Sequence, residues 1–248
     1  MTDKPNPMAT AQRLARPETP RRFYKTAEAG AHGDLFAVLL DGKVAKTPGR
    51  KPLAVPQRPL AEALAAEWEV QGERLDPASM PLTRIVNAAI DRVTGEMAAV
   101  RADVVKYAGT DLICYRAEGP QSLVDAQEAE WAPLIAWARE ALGARFILAA
   151  GVVHVKQDAS ALTAIDHALQ PLDALSLAAL HTVTTLTGSA VIALALQRGQ
   201  LSVEEAWVAA HIDEDWQMAQ WGKDDAALAR RTFRWREMVA AALILKSS

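Results

Sequence analysis

The stretch LFAVLLDGKVAKT, which runs from Leu35 to Thr47, contains two apolar segments separated by Asp41-Gly42. Asp-Gly between two apolar segments is a strong hairpin signal, because a type I′ turn requires a positive φ at both central residues. Pro48 and Gly49 follow directly and close the second segment. The stretch therefore predicts an antiparallel β-hairpin, and with it a β-containing part near the beginning of the chain.

After Pro56 the pattern becomes helical. Leu60, Leu64 and Trp68 recur every four positions, and Gly72 is a typical residue at which a helix stops. We expect this helix to cover one face of the small sheet. Core packing is then the expected role of Trp68.

Helical patterns fill the chain from Met80 onward. The predicted helices comprise residues 82–92, 95–107, 122–143, 159–169, 202–221 and 224–245, with an uncharged segment over 174–197. Residues 146–155 are ambiguous, because they are apolar and β-branched enough for a strand but are isolated among helices. The predicted class is α+β, a small N-terminal β-containing domain followed by a larger all-α helical C-terminal domain. The predicted divisions are a disordered leader over 1–20, a hairpin domain with one covering helix over 21–78, and a helical domain over 79–248.

The uncharged segment, Ala174 to Gln197, is long enough to cross a bilayer. Its middle is polar, however, and no second apolar span follows it. These features predict no stable membrane insertion. They favour a buried central helix, or two shorter helices broken near Gly188.

The composition excludes several classes of protein. With 248 residues, the chain can bury a core without metal or disulfide staples. A single cysteine, Cys114, allows no internal disulfide, and a net charge of −3 gives no electrostatic reason for a nucleic-acid partner. The first twenty residues contain no apolar run and include acidic residues, so we expect no cleaved targeting segment. The expected compartment is the bacterial cytoplasm, or the mitochondrial matrix if the protein is eukaryotic.

The helix predicted over 202–221 has two apolar faces instead of one. It begins at the capping box Ser202-Val203-Glu204-Glu205 and ends at Gly222. The face suited to a core consists of Val208, Ala209, Ile212, Trp216 and Ala219. The opposite face consists of Trp207, Glu214, Met218 and Trp221. Because an ionised group is costly to bury unpaired, we expect Glu214 in a wet groove, in a pair with an arginine, or in contact with another molecule.

Motifs for nucleotide or metal chemistry do not occur in the sequence. There is no Gly-x-Gly-x-x-Gly and no phosphate loop, the five histidines lie far apart, and one cysteine cannot build a structural zinc site. We expect no cofactor and no metal. Cys114 is either a small buried apolar side chain or a nucleophile. The arginines within 230–236 form either a nucleic-acid patch or the counter-charge to the acidic residues within 204–215, and the net charge favours the second interpretation.

Six groups of residues, spread between about Arg21 and Trp235, resemble one family when they are taken together and in order. They are Asp41-Gly42-Lys43 through Lys46-Thr47-Pro48; Ala65-Ala66-Glu67-Trp68; Pro81-Leu82-Thr83-Arg84; Ala88-Ala89-Ile90-Asp91; Thr110-Asp111-Leu112 with Cys114-Tyr115-Arg116; and Asp213-Glu214 with Gln217 and Trp221-Gly222. The family is that of the ATP synthase assembly chaperones, which attend the α subunit of the catalytic head.

The resemblance implies a two-part fold and a mechanism. Such chaperones hold the new α subunit by the surface that the β subunit later covers, which prevents aggregation until assembly displaces them. This action requires no catalysis, so the resemblance implies that the protein is not an enzyme, and we expect a monomer. The alternative is a small hydrolase or transferase that uses Cys114 or acidic residues in an interdomain pocket.

The resemblance also implies candidate site residues. In the family an acidic residue before Gln and Trp-Gly is functionally important; Glu214 matches best and Asp213 second. The flanking aspartates leave open which of Asp213, Glu214 and Asp215 is critical. The expected client-binding residues are Glu214, Asp213, Trp207, Gln217, Met218 and Trp221, and the expected structural residues are Trp68, Asp111 and Arg116.

Overall fold

The structure is a computed structural model that describes residues 20–151, 153–222 and 224–247. The strands are β1 (Ala27–His32), β2 (Leu35–Leu40), β3 (Lys43–Val44), β4 (Ala54–Val55), β5 (Tyr115–Arg116) and β6 (Ala149–Ala150). The helices are α1 (Arg58–Glu69), α2 (Pro81–Ala88), α3 (Thr94–Ala108), α4 (Gln121–Trp137), α5 (Ala159–Leu169), α6 (Ala174–Thr187), α7 (Ala190–Gln197), α8 (Val203–Ala210), α9 (Ile212–Trp221) and α10 (Asp225–Ser247). Strands β1 to β4 therefore precede a mainly helical body, within which β5 and β6 lie, and this order confirms the α+β class. Apart from Pro20, the predicted leader lies outside the described residues.

Strands β1 to β4 form an antiparallel sheet in which β2 is central. Across the predicted turn, Leu40 pairs with Lys43, and φ is 48° at Asp41 and 75° at Gly42. Both central residues thus have the positive φ that a type I′ turn requires. The predicted hairpin is confirmed.

Helix α1 packs on β1 and β2 through its apolar face. Leu60 and Leu64 are buried, and Trp68 is half-buried. The Trp68 ring lies 5.8 Å from the ring of Tyr24, whose hydroxyl donates to the Trp68 carbonyl at 2.6 Å. The helix ends at Glu69, three residues before the predicted stop. The prediction that this helix covers the sheet is confirmed.

Two carboxylates join the sheet layer to the helical body. Glu67 of α1 accepts hydrogen bonds from two backbone N–H groups at the start of α2, both at 2.8 Å. Those N–H groups have no partner within their own helix, so Glu67 acts as their cap. Asp91 lies in the π-helical turn between α2 and α3. Its carboxylate accepts hydrogen bonds from the Thr47 hydroxyl and the Gly49 N–H, both at 2.7 Å. The sheet and the helices are therefore tied together at both places by carboxylate acceptors.

The uncharged segment forms the centre of the helical body. Helices α6 and α7 are separated at Gly188, whose φ is 68°, so the alternative of two helices is confirmed. Every residue from Ala190 to Leu196 is buried. Among the described residues, no helix is long and apolar enough to span a membrane.

Asp111 and Ser189 cap the start of α7. The Val191 N–H donates to Asp111 Oδ2 at 3.1 Å, and the Ile192 N–H donates to Ser189 Oγ at 3.0 Å. Asp111 is completely buried, and this burial raises its pKa to about 6, although hydrogen bonds from Ser189 and nearby N–H groups act in the opposite direction. A buried carboxylate thus fixes the position of the most buried helix.

The prediction of a single helix over 202–221 is wrong. The chain changes direction at His211, where φ is −123° and ψ is 19°. The capping box at Ser202 is present as predicted. Neither glycine nor proline marks the break. Instead, the His211 ring lies against the preceding turn, with Nδ1 2.7 Å from the Trp207 carbonyl oxygen. The apolar pattern continues across the break, so the sequence gives no signal of it.

The ambiguous run over 146–155 contains β6, which pairs in parallel with β5. Tyr115 lies opposite Ala149 in this short ladder. Within the described residues, the run is therefore joined to the helical body and not to the N-terminal sheet.

The two halves of α10 are held by different interactions. In its second half Met238, Ala241 and Ile244 are fully buried. In the first half, over residues 225–237, no residue is buried. This half is held by partly buried contacts, among them the ring contact of Trp235 with Trp207 and a 2.6 Å bond from Arg84 Nη2 to Glu237 Oε1. The first half forms one wall of the grooves described below.

The substitution Asp111→Ala should lower the free energy of unfolding by about 2 kcal/mol or more, because it leaves buried N–H groups without an acceptor. Asp173→Ala is the matched control: Asp173 caps α6 through the Ser176 N–H at 2.7 Å but is exposed. The control substitution should lower the free energy of unfolding by about 1 kcal/mol. Urea unfolding of both variants measures the difference, and equal losses would contradict a special role for the buried cap.

The raised pKa of Asp111 also predicts a pH dependence. Between about pH 4, where an aspartate in the unfolded chain titrates, and the folded pKa of about 6, the folded state binds more protons than the unfolded state. Stability falls with rising pH in such a window. The loss in free energy of unfolding that Asp111→Ala causes should therefore become smaller as the pH rises through this window. Urea unfolding at several pH values tests this, and a constant difference would refute it.

Candidate functional site

Helices α9 and α10 enclose a groove of about 410 Å³, called here the α9–α10 groove. Four of the predicted client-binding residues line it: Glu214, Gln217, Met218 and Trp221. The opposite wall carries Arg230, Arg231 and Arg234 of α10. The Trp221 side chain is largely solvent-exposed, at 76%. The groove thus combines an aromatic ring, a thioether and charges of both signs on an open surface.

The three neighbouring acids of α9 have different partners. Asp213 accepts a hydrogen bond from Gln127 Nε2 at 2.7 Å, and Asp215 forms a two-bond ion pair with Arg231. Glu214 lies 3.9 Å from Arg234 Nη1 and 4.0 Å from His211 Nε2, both beyond hydrogen-bond distance. Within the described part of the chain, the Glu214 carboxylate forms no hydrogen bond, and its side chain is 54% exposed. Of the three acids, Glu214 therefore has the carboxylate that is free to accept a group from another molecule.

Trp207 lies apart from the other predicted client-binding residues, because the break at His211 turns it inward. Only 8% of its surface is exposed. Its ring packs 3.9 Å from the ring of His211 and 5.3 Å from that of Trp235. The structure thus does not bring Trp207 into the α9–α10 groove, and it directs Asp213 toward Gln127 instead.

A second groove, called here the α8–α10 groove, lies beside the first and also measures about 410 Å³. Trp207, Val208, Leu228 and Trp235 supply its apolar lining. Sequence reasoning placed Val208 on the face suited to a core, but 47% of this residue is exposed. The prediction that Val208 faces the core is wrong. Helix α8 ends at Ala210, so the apolar face expected for one helix over 202–221 does not exist.

His211 lies behind Glu214 at the junction of the two helices. It is 2% exposed, and its Nε2 has no hydrogen-bond partner among the described residues. Burial lowers the pKa of His211, while the Trp207 carbonyl and the carboxylate of Glu214 act to raise it. Arg231 and Arg234 lower it further. These causes favour a neutral ring, so His211 supplies Glu214 with little counter-charge.

The arginines of α10 serve mainly as counter-charges, as the sequence favours. The ion pair with Asp215 raises the pKa of Arg231, whose guanidinium also lies 6.0 Å from the centre of the Trp207 ring. Arg234 donates to the Leu186 carbonyl as well as facing Glu214. Arg230 is highly exposed and lies 3.9 Å from Asp224.

The predicted structural residues lie away from both grooves. Trp68 packs on Tyr24 in the sheet layer, and Asp111 caps α7, as described above. The Arg116 guanidinium donates to the Gln127 carbonyl at 2.8 Å and lies 5.2 Å from the centre of the Trp131 ring. Gln127 is also the partner of Asp213, so Arg116 supports the residue that holds α9 against α4.

Cys114 is buried, with 1% of its surface exposed. Burial raises the pKa of its thiol, and the negative charge of Asp111 raises it further. A thiol in such surroundings stays protonated and is a poor nucleophile. Among the described residues, no group of three or more histidine, cysteine or acidic side chains could hold a metal ion.

The burial of Cys114 predicts that its thiol does not react in the folded protein. An aromatic disulfide reagent near neutral pH should label less than about a tenth of the protein within a time that labels it fully in denaturant. A Cys114→Ala, Ala31→Cys variant is the control, because Ala31 is exposed on β1. Rapid labelling of the folded wild type would restore Cys114 as a candidate nucleophile.

Comparison with known proteins assigns the chain to a class. The family described as ATP12 chaperone protein matches residues 21–139. The mitochondrial atp12 protein of Schizosaccharomyces pombe is 25% identical over 214 residues, which are 82% of this chain and 74% of that protein.

Solved structures extend the similarity over nearly the whole chain. The crystal structure of Atp12 from Paracoccus denitrificans is 39% identical, with a TM-score of 0.83, over 92% of this chain and 97% of that one. The Atu1473 protein of Agrobacterium tumefaciens, described as a candidate chaperone, is 45% identical, with a TM-score of 0.88, over 98% of this chain and 92% of that one.

The fold and the comparisons together define a chaperone. The chain belongs to the ATP12 chaperone family, whose members are assembly factors for ATP synthase.

Proposed function

We propose that this chaperone binds the α subunit of the F-type ATP synthase catalytic head, at the surface that the β subunit later covers. Binding protects the α subunit from aggregation until the β subunit displaces the chaperone. The observation that carries the proposal is the carboxylate of Glu214, which accepts no hydrogen bond from any described residue and lies in an open groove beside the exposed ring of Trp221.

The polar part of the interaction is assigned to Glu214. Because its oxygens form no hydrogen bond within the described residues, a basic or amide group of the client can bind without displacing a strong internal bond. Arg234 Nη1 faces the carboxylate at 3.9 Å without forming a hydrogen bond with it, so its acceptor capacity is not used. Glu214 is therefore the acid that we assign as critical, and Asp213 and Asp215 support the position of α9.

The apolar part is assigned to Trp221 and Met218, with Gln217 at the groove wall. A chaperone must bind tightly enough to prevent self-association and weakly enough to release its client. An open groove with one polar anchor meets both needs, since association also costs ordering entropy that a small contact only partly offsets.

No catalytic step is part of the proposal. The protonated, buried thiol of Cys114 argues against a hydrolase or transferase based on that residue. We propose that the chaperone acts as a monomer, in the bacterial cytoplasm or the mitochondrial matrix. Relatives of both origins support these compartments, since one is mitochondrial and two solved relatives are bacterial.

The substitution Glu214→Gln should weaken the binding of the α subunit about tenfold, since a hydrogen bond to a charged group contributes about 1.5 to 3 kcal/mol. Light scattering by α subunit diluted from denaturant measures the protection, and the β subunit is added afterwards to test release. The control is Glu62→Gln, because the Glu62 side chain is exposed to the same degree, 55% against 54%, but lies on α1.

Both variants should have the same midpoint of urea unfolding as the wild type. If Glu214→Gln unfolds more easily, the residue is a structural partner of Arg234 and not a client contact. If it protects the α subunit as well as the wild type does, the assignment of Glu214 is wrong. If the wild type neither protects nor binds the α subunit, the proposed client is wrong.

A further inference from the structure

The α8–α10 groove has no assigned role, although it is comparable in size to the α9–α10 groove. Its lining is more apolar: Trp207, Val208, Leu228 and Trp235 lie there with the polar residues Glu204, Arg231 and Thr232. Val208 is 47% exposed there, with no described part of the chain covering it. An exposed branched apolar residue beside two tryptophans marks a surface suited to an apolar partner.

The two grooves form one continuous surface because Arg231 lines both of them. Arg231 is the ridge between them, and only 19% of its side chain is exposed. Its charge is neutralised by the two-bond pair with Asp215, and its guanidinium lies near the face of Trp207. The pair with Asp215 leaves little net charge on this ridge, so a client segment that crosses it meets no unpaired charge there.

We propose that the α8–α10 groove is a second contact site for the same client, and that it takes a large apolar side chain of the α subunit. This inference rests on the proposed function, because it extends the client surface from the α9–α10 groove across Arg231. Glu214 binds a polar group of the client on one side of the ridge. The apolar side chain packs against Val208, Leu228 and the two tryptophans on the other side.

The two proposed contacts depend on different physical interactions. The contact at Glu214 is electrostatic and gives orientation, whereas the contact at Val208 comes from the removal of apolar surface from water. Salt should therefore weaken the first contact and leave the second nearly unchanged. The response of binding to ionic strength should therefore distinguish the two contacts, as substitution should.

The test uses the full-length chaperone with purified α subunit as the probe. Val208→Gln replaces the exposed apolar side chain by an uncharged polar one and should weaken binding about fivefold or more, since burial of a valine side chain contributes enough for such a change. The matched control is Val239→Gln, because Val239 is 42% exposed on α10 and lines neither groove. The control should bind like the wild type.

Further measurements test the second contact site separately from the proposed function. Leu228→Gln should reproduce the loss, and it serves in place of Val208→Gln if that variant is less stable in urea. Raising the salt concentration should weaken the wild type and Val208→Gln alike, but should have little effect on Glu214→Gln. In the double variant Glu214→Gln, Val208→Gln the two losses should multiply, because separate contacts are additive in free energy.

Each outcome decides between the proposals. If Glu214→Gln weakens binding while Val208→Gln and Leu228→Gln bind like the wild type, the second site is refuted and the proposed function stands. If Val239→Gln weakens binding as much as Val208→Gln, the loss is not specific to the groove and the second site is again refuted. If the wild type does not bind the α subunit, both proposals fail together.

Discussion

The buried carboxylate of Asp111 is the constraint on which the helical body depends. Helix α7 carries no charged side chain and is buried over residues 190–196, so its first N–H groups need acceptors that water cannot supply. Ser189 supplies one, and Asp111 supplies another from 80 positions away in the sequence. Helices α3, α4, α6, α8 and α10 all pack on α7. The placement of α8 and α10, and therefore of both grooves, follows from this fixed centre.

Much of the fold is readable from single residues whose conformation or bonding is local. Asp41-Gly42 predicts the hairpin because positive φ is rare elsewhere, and Gly188 marks the break between α6 and α7 for the same reason. The break at His211 has no such signal, because a side-chain interaction and tertiary packing produce it in a sequence that otherwise continues helically. The error in the position of Val208 follows directly from that missed break.

The motifs that carry the family resemblance lie mainly at junctions of the fold. Glu67 caps α2, Asp91 holds the turn at Gly49, and Asp111 caps α7. Such residues explain why the resemblance predicts the architecture well. The candidate site could be predicted only in part, since the separate roles of Asp213 and Glu214 depend on Gln127, 86 positions from Asp213. The α8–α10 groove could not be predicted, because its walls come from two helices with no shared sequence pattern.

The unequal attachment of α10 has a consequence for its dynamics. Its second half is fixed by apolar burial, so its amide protons exchange with solvent only when the protein unfolds globally. Its first half contains no buried residue and is held by the bonds of Arg84, Arg231 and Arg234 and by the contact of Trp235 with Trp207. Local opening of this helix should therefore begin at the end that lines the grooves, while the part packed around α7 stays folded.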